Sequence, residues 1–308
     1  GMLLSAGLPL PKTLLVHGFI TSGGKKMSKT LGNVIDPEEL LAEYGTDAVR
    51  YWASTSRLGA DTAFSEDLLK IGRKLVGKLW NASNFASLNL DKLSGTPTTA
   101  AEDTRRGHIS ETLDLWILSR LNQCIKKATQ EFERFEYCDA RVAIEDFFWN
   151  DFCDNYLELV KARSYGESQG SQPSALYTLY HCLDAVLRLF APFVPHVTEE
   201  IYSHLFDTQH GSIHARGMWP NAEEYPYDAK AELSGMACVD VLNVIRKAKS
   251  EASVSIKFPV EKVEIAAVEA SPAPVWDHIA AVMGDLKVGD SVSVNGTLGY
   301  PQMVDFAE

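Results

Sequence analysis

The chain has 308 residues, of which 45% are hydrophobic and 23% charged, and its 29 Lys and Arg against 41 Asp and Glu give a formal net charge of −12. These proportions are typical of a globular protein and exclude a disordered or collagen-like chain. The negative charge argues against a protein that binds nucleic acid over its whole surface, because phosphate contacts need Lys and Arg side chains.

The sequence shows no pattern for membrane insertion, secretion or metal binding. It has no run of eighteen uncharged apolar residues, so we expect no membrane span. Its first residues resemble no secretory signal, so we expect a cytoplasmic protein. The five cysteines are well separated and form no C-x-x-C pair, so we expect buried free thiols and no metal site.

The first predicted elements are a strand, a basic loop and a helix. Residues 14–20 are apolar and predict a strand, which a Ser-Gly-Gly turn ends. Asp36 as a cap, followed by Pro37 at the first helical position, predicts a helix start. The first 35 residues contain no Asp or Glu but four lysines, Lys12, Lys25, Lys26 and Lys29. This local excess of positive charge indicates an anion site.

A long helix is predicted from Ser65 to about residue 90. Ile71, Leu75 and Leu79 recur at intervals of four and should face the core. A second stripe on this helix is basic, and its members are Lys70, Arg73, Lys74 and Lys78. The stripe is either a track for a phosphate backbone or an ordinary solvated face.

The middle of the chain predicts an α-helical bundle, and the end predicts a small α/β region. Helices are expected at about 110–135, 139–163, 174–192 and from about 196, with loops at 94–108 and 166–173. A helix at 229–251 should precede strands at 260–269 and 290–298, with a helix at 274–283 between them. The predicted fold class is therefore mainly α.

Aromatic side chains cluster at residues 147–156. At helical spacing such residues are usually core, although aromatic rings also stack on the bases of single-stranded RNA. Trp149 falls on a different face from Phe148 and Phe152, so it is the candidate for a base contact.

The sharpest local feature is the pair Lys26 and Lys29 in the basic loop. Two lysines on a loop between a strand and a helix can offset the charge of a polyphosphate as pyrophosphate leaves. Ser28 and Thr30 add hydroxyl groups beside them. The spacing alone leaves open a solvated basic turn.

The run of residues 14–52 resembles the KMSKS loop and the following helices of class I aminoacyl-tRNA synthetases. The resemblance implies that Lys29 binds the phosphates of ATP during amino-acid adenylation, that Lys26 assists it, and that Met27 and Ser28 complete the loop. Thr30 replaces the usual final serine of the family and retains a hydroxyl group.

Four further segments, at 77–86, 113–122, 147–165 and 187–205, resemble the valyl-tRNA synthetases. This resemblance implies a helical domain that binds the tRNA anticodon stem and loop, a valine tRNA as partner, and ATP with Mg²⁺ as cofactors of the full enzyme. It also implies three domains: the end of the catalytic domain at 1–60, the anticodon-binding domain at 61–215, and a helix with a small α/β region at 216–308.

The His-x-Gly-His motif of class I enzymes does not occur in this sequence. We therefore expect the C-terminal part of a synthetase, without its N-terminal half and inactive alone. The same region of an isoleucyl- or methionyl-tRNA synthetase, or a free-standing tRNA-binding or interaction module without catalysis, remains an alternative.

Overall fold

A computed structural model describes residues 2–166, 170–206, 211–215 and 217–255, and the backbone of three further strands. The fold is mainly α, as predicted. The helices are α1 (Met2–Ser5), α2 (Pro37–Tyr44), α3 (Thr46–Ala53), α4 (Glu66–Leu90), α5 (Ala100–Arg105), α6 (Thr112–Glu133), α7 (Tyr137–Asp146), α8 (Leu157–Tyr165), α9 (Gln172–Phe190), α10 (Pro195–Leu205) and α11 (Ala229–Glu251). The strands are β1 (Ile20–Ser22), β2 (Lys25–Lys26), β3 (Thr62–Ala63), β4 (Val260–Ala267), β5 (Val288–Asn295) and β6 (Leu298–Phe306).

Residues 3–46, called the N-terminal segment below, contain no buried residue. Strands β1 and β2 form a hairpin whose turn, Gly23 and Gly24, has positive φ at both positions (57° and 75°), as a tight hairpin turn requires. Strand β3 pairs with β1 in parallel. The strand predicted at 14–20 is wrong, because most of these residues find no strand partner; only His17 forms a bridge, with Leu58, before β1 begins at Ile20.

The caps predicted for α2 and α4 are confirmed. The Asp36 carboxylate accepts a hydrogen bond from the Glu38 N–H, and the Ser65 hydroxyl accepts one from the Leu68 N–H. Both bonds satisfy main-chain donors that a helix start leaves free.

The apolar face of α4 differs in part from its prediction. Leu75 and Leu79 are buried, but Ile71 is 41% exposed, and Leu69 and Gly72 lie on the buried face instead. Gly72 contacts the Tyr51 ring so closely that a Cβ atom there would lie 2.9 Å from it. The contact with α3 therefore decides which side of α4 is buried.

The described helices between residues 66 and 251, called the bundle below, surround one hydrophobic core. A π-helical segment, Phe147–Tyr156, joins α7 to α8. Within it Phe147, Phe148, Phe152 and Tyr156 are buried. The prediction that most of the aromatic cluster is core is therefore confirmed.

The loop predicted at 94–108 contains a short helix, α5, so that prediction is wrong in part. Its Asp103 carboxylate is buried and accepts hydrogen bonds from Thr98 and from the His181 ring on α9, the latter at 2.7 Å. Burial favours a raised pKa for Asp103, but these hydrogen bonds outweigh it and lower the pKa. A partner far along the chain thus stabilises α5.

A buried polar network joins α6, α8 and α9. The Asp114 carboxylate binds the Arg163 guanidinium through two hydrogen bonds, at 2.9 and 2.8 Å. It also accepts hydrogen bonds from the Tyr156 hydroxyl at 2.7 Å and the Ser174 hydroxyl at 2.6 Å. Because its partners satisfy it, this buried charge can serve as a junction between three segments.

The bounds of α11 match the prediction, and Asp228 caps the helix. This helix packs on α6, where Gly235 lies against the Trp116 ring. The domain boundaries stay predictions, and because of this contact we propose that α11 be counted with the bundle.

The C-terminal strands form a sheet in the order β5-β4-β6, with β4 parallel to β5 and antiparallel to β6. Two strands were predicted here, and β6 was missed. The helix predicted at 274–283 lies outside the described residues. In the described part of the chain, no helix is both long and apolar enough to cross a lipid bilayer.

Candidate functional site

The predicted phosphate-binding loop directly follows the β1–β2 hairpin. The Met27 N–H donates to the Ile20 carbonyl at 2.9 Å, which extends the hairpin by one residue. Ser28 then caps a single 3₁₀ turn, Lys29–Leu31, by accepting a hydrogen bond from the Leu31 N–H at 3.2 Å. Gly32, with φ 64°, closes this turn. The five loop residues predicted to contact ATP therefore lie on one short, hydrogen-bonded segment.

The two lysines of the loop differ in their surroundings. The Lys26 Nζ atom lies 3.7 Å from the centroid of the Phe19 ring, a cation–π contact. Lys29 is exposed, and no described residue forms an ion pair with it. Thr30 is also exposed, whereas Met27 and Ser28 are half-buried. The Lys29 ammonium group is thus open to solvent, whereas that of Lys26 lies over an aromatic ring.

Polar contacts connect α3 and the turn after it, which follow the loop in the chain, to the bundle. The Asp47 carboxylate accepts hydrogen bonds from the main-chain N–H groups of His196 and Val197, at 3.1 and 2.7 Å, and so caps α10. The Arg57 guanidinium forms a bidentate ion pair with the Asp139 carboxylate. Sequence analysis missed Asp47, since nothing local shows that its partners lie about 150 residues away.

The basic stripe of α4 lies on the surface, as the prediction of either an RNA track or a solvated face requires. Lys70, Arg73 and Lys74 are exposed, and Lys78 is partly exposed. Two of the cations have acidic neighbours: Lys70 lies 3.2 Å from Asp67, and Lys78 lies 3.7 Å from Asp154. Exposed pairs of this kind are weak and can yield to a stronger anion.

The structure brings Trp149 next to this stripe. The Lys78 Nζ atom lies 5.7 Å from the centroid of the Trp149 ring, and the ring is partly exposed. Trp80, which sequence analysis did not select, is 44% exposed and lies two turns after Arg73 on the same face of α4. Cationic and aromatic side chains therefore share one surface.

The described residues offer no metal centre. They contain no group of three or more His, Cys, Asp or Glu side chains that could hold an ion. All five cysteines are buried and free, as predicted, and burial raises the pKa of Cys153 and of Cys238 to about 12. Such thiols stay protonated near neutral pH and are poor metal ligands.

Comparisons with known proteins identify the two parts of the chain separately. Residues 5–65 match the family of class I tRNA synthetases for Ile, Leu, Met and Val, and residues 114–265 match the anticodon-binding domain of tRNA ligases. A solved structure, the ternary complex of Agrobacterium radiobacter K84 agnB2 LeuRS with tRNA and LeuAMS, covers 83% of this chain and 26% of its own at 21% identity and a TM-score of 0.47.

Similar curated proteins are valine–tRNA ligases. That of Wolbachia sp. subsp. Brugia malayi is 46% identical over 83% of this chain, that of Anaplasma marginale 48% over 82%, and that of Rickettsia felis 39% over 92%. The chain covers 29%, 30% and 34% of these relatives. It therefore belongs to the class I aminoacyl-tRNA synthetases, and it is homologous to a part of the valine–tRNA ligases.

Proposed function

We propose that the chain is the part of a valine–tRNA ligase that contributes the KMSKS-type loop and binds the tRNA anticodon stem and loop. The observation that carries this proposal is the similarity to valine–tRNA ligases, at 39–48% identity over 82–92% of the chain. The whole enzyme would join valine to its tRNA at the expense of ATP. A tRNA partner and ATP both fit a cytoplasmic enzyme.

The loop acts on ATP through charge. As pyrophosphate leaves the α-phosphate, negative charge grows on the departing oxygens, and Lys26 and Lys29 offset it. The exposure of Lys29 and the absence of any acidic residue before Asp36 support this role. Met27, Ser28 and Thr30 shape the loop that presents the two ammonium groups.

The basic stripe of α4 is the proposed RNA contact. Lys70, Arg73, Lys74 and Lys78 would bind backbone phosphates, which positions an RNA without reading its sequence. Trp149, beside Lys78, would stack on an unpaired base. Because the chain as a whole is acidic, this cationic surface should confine the tRNA to one side of the molecule.

Titration of the chain with valine, isoleucine and methionine tRNAs over a salt series tests this proposal. We expect the valine tRNA to bind most tightly, with an affinity that falls as salt rises. Equal affinity for the three tRNAs would contradict valine selectivity in this part of the enzyme, and undetectable binding would contradict the tRNA contact.

A triple variant of Lys70, Arg73 and Lys74 to Ala locates the contact. The logarithm of the binding constant falls linearly with the logarithm of the salt concentration, and each lost phosphate contact should make this slope less steep by about 0.7 to 0.9. A triple Ala variant of Lys126, Lys127 and Lys230, on α6 and α11, removes the same charge elsewhere and is the control. Equal effects of the two variants would contradict an α4 contact.

We expect the chain alone to show no ATP–pyrophosphate exchange.

A further inference from the structure

Asn33 connects the two ends of the loop and has no role in the function proposed so far. Its side-chain Oδ1 atom accepts a hydrogen bond from the Ser28 N–H at 2.9 Å. Its Nδ2 atom donates a hydrogen bond to the Lys26 carbonyl at 3.2 Å. One planar amide therefore binds the main chain on both sides of Met27.

These two bonds hold the main chain next to both lysines. Lys26 is held through its own carbonyl group. Lys29 directly follows Ser28, whose N–H is bound by Asn33 and whose hydroxyl caps the 3₁₀ turn that Lys29 begins. With the Met27 bond to Ile20, the backbone from Lys26 to Lys29 is restrained at three consecutive residues.

Packing restrains the loop only weakly, because no residue of the N-terminal segment is fully buried. The loop must also hold Lys25, Lys26 and Lys29 close together despite their mutual repulsion. Hydrogen bonds are thus the main force that selects one loop conformation. The position needs a donor and an acceptor on one short side chain, which asparagine has and aspartate or alanine lacks.

We propose that Asn33 is a positioning residue for adenylate formation, which holds the Lys26 and Lys29 ammonium groups where they meet the departing pyrophosphate. This inference rests on the proposed function of the loop. Asn33 touches neither ATP nor valine in this role; it acts through the main chain of the two lysines. Its loss should therefore lower the rate of the chemical step more than the affinity for ATP.

Hydrogen exchange on the chain itself tests the positioning part without any activity. In Asn33→Ala, peptides covering residues 26–33 should exchange faster, while peptides of α6 should exchange as before. Asn33→Asp keeps the acceptor for the Ser28 N–H and loses the donor to Lys26, so it should protect the Ser28 amide in part. Unchanged exchange at residues 26–33 in Asn33→Ala would overturn the proposal.

ATP–pyrophosphate exchange by the longer ligase that contains this chain tests the catalytic part. We expect Asn33→Ala to lower kcat by about 10- to 100-fold, as misplacement of a catalytic group does, with a smaller change in KM for ATP. Asn221→Ala is the matched control, because the Asn221 side chain likewise accepts a main-chain hydrogen bond, from the Glu223 N–H at 3.1 Å, and lies far from the loop in sequence.

The outcomes of the two experiments separate the two proposals. An inactive wild-type ligase would contradict the proposed function, while hydrogen exchange would still report on the loop. An active ligase with an unchanged kcat in Asn33→Ala would overturn the role of Asn33 alone. The same loss of kcat in Asn221→Ala would also overturn it.

Discussion

The N-terminal segment and the bundle keep their conformations by different means. Residues 3–46 contain no buried residue and rely on a glycine turn, side-chain caps and hydrogen bonds between residues close in sequence. The bundle has a continuous hydrophobic core and a buried charge, Asp114, that joins three helical segments. Substitutions in the bundle should therefore change the stability of the protein, whereas substitutions in the N-terminal segment should change local geometry and the chemistry of the loop.

The largest expected effect is that of Asp114→Asn. The substitution removes the negative charge of the buried ion pair between Asp114 and Arg163, whose atoms lie 2.8 Å apart. We expect the free energy of unfolding to fall by about 3 to 5 kcal/mol, as when one partner of a buried ion pair is lost. Urea denaturation followed by far-ultraviolet circular dichroism measures this loss.

The matched control is Asp240→Asn, which makes the same chemical change at an exposed position of α11. Its effect should stay within about 0.5 kcal/mol. Similar losses in the two variants would mean that net charge, and not the buried network, determines the difference.

Gly235→Ala should have the next largest effect. A Cβ atom at this position would lie 2.0 Å from the Trp116 Cγ atom, so α11 and α6 would have to separate. We expect a loss of about 1 to 3 kcal/mol, which is typical of overpacking a core. The control is Gly77→Ala in α4, where a Cβ atom would meet nothing within 4 Å.

Gly77→Ala should instead raise the stability by about 0.5 to 1 kcal/mol, because alanine is the better helix former. Thermal unfolding of both variants compares the two effects. A gain in Gly235→Ala would show that the contact between α11 and α6 is loose.

Two caps of the same chemistry offer the most direct comparison of the two regions. Asp47→Ala removes a buried carboxylate and leaves the His196 and Val197 N–H groups unpaired, so we expect a loss of about 1 to 2 kcal/mol. Asp36→Ala removes an exposed local cap and should only loosen α2. Hydrogen exchange of α2, together with urea denaturation, distinguishes the two results.

Lys29→Ala should have the smallest effect on stability. The side chain is exposed and forms no ion pair with a described residue, so the free energy of unfolding should change by less than about 0.5 kcal/mol. The urea denaturation midpoint checks this value. A larger change would show that Lys29 contributes to the stability of the fold, contrary to the contrast between the N-terminal segment and the bundle.

Local patterns predicted the features that depend on neighbouring residues. The sequence predicted the caps Asp36 and Ser65, the bounds of α11, and the short loop from Lys26 to Thr30. Each depends on hydrogen bonds or periodicity within a few residues. The roles of the loop and stripe residues stay predictions.

Features that depend on distant partners were not predictable in this way. The buried side of α4 shifted from Ile71 to Leu69 and Gly72 because Tyr51 packs there. Of the apolar residues 14–20, only Ile20 belongs to a strand and only His17 forms an isolated bridge, so the strand pattern failed over most of this run. Sequence analysis likewise did not find the network around Asp114.

By itself, the sequence determined the helical class and most helix positions, because periodicity, caps and turn residues act over short distances. The five ATP-binding candidates came from the resemblance of residues 14–52 to a known family. Only the tertiary structure decided that Trp149 lies beside Lys78 and that Asp47 caps α10. The physical reason is that a side chain's partner is chosen by packing in three dimensions, and spacing along the chain leaves that choice open.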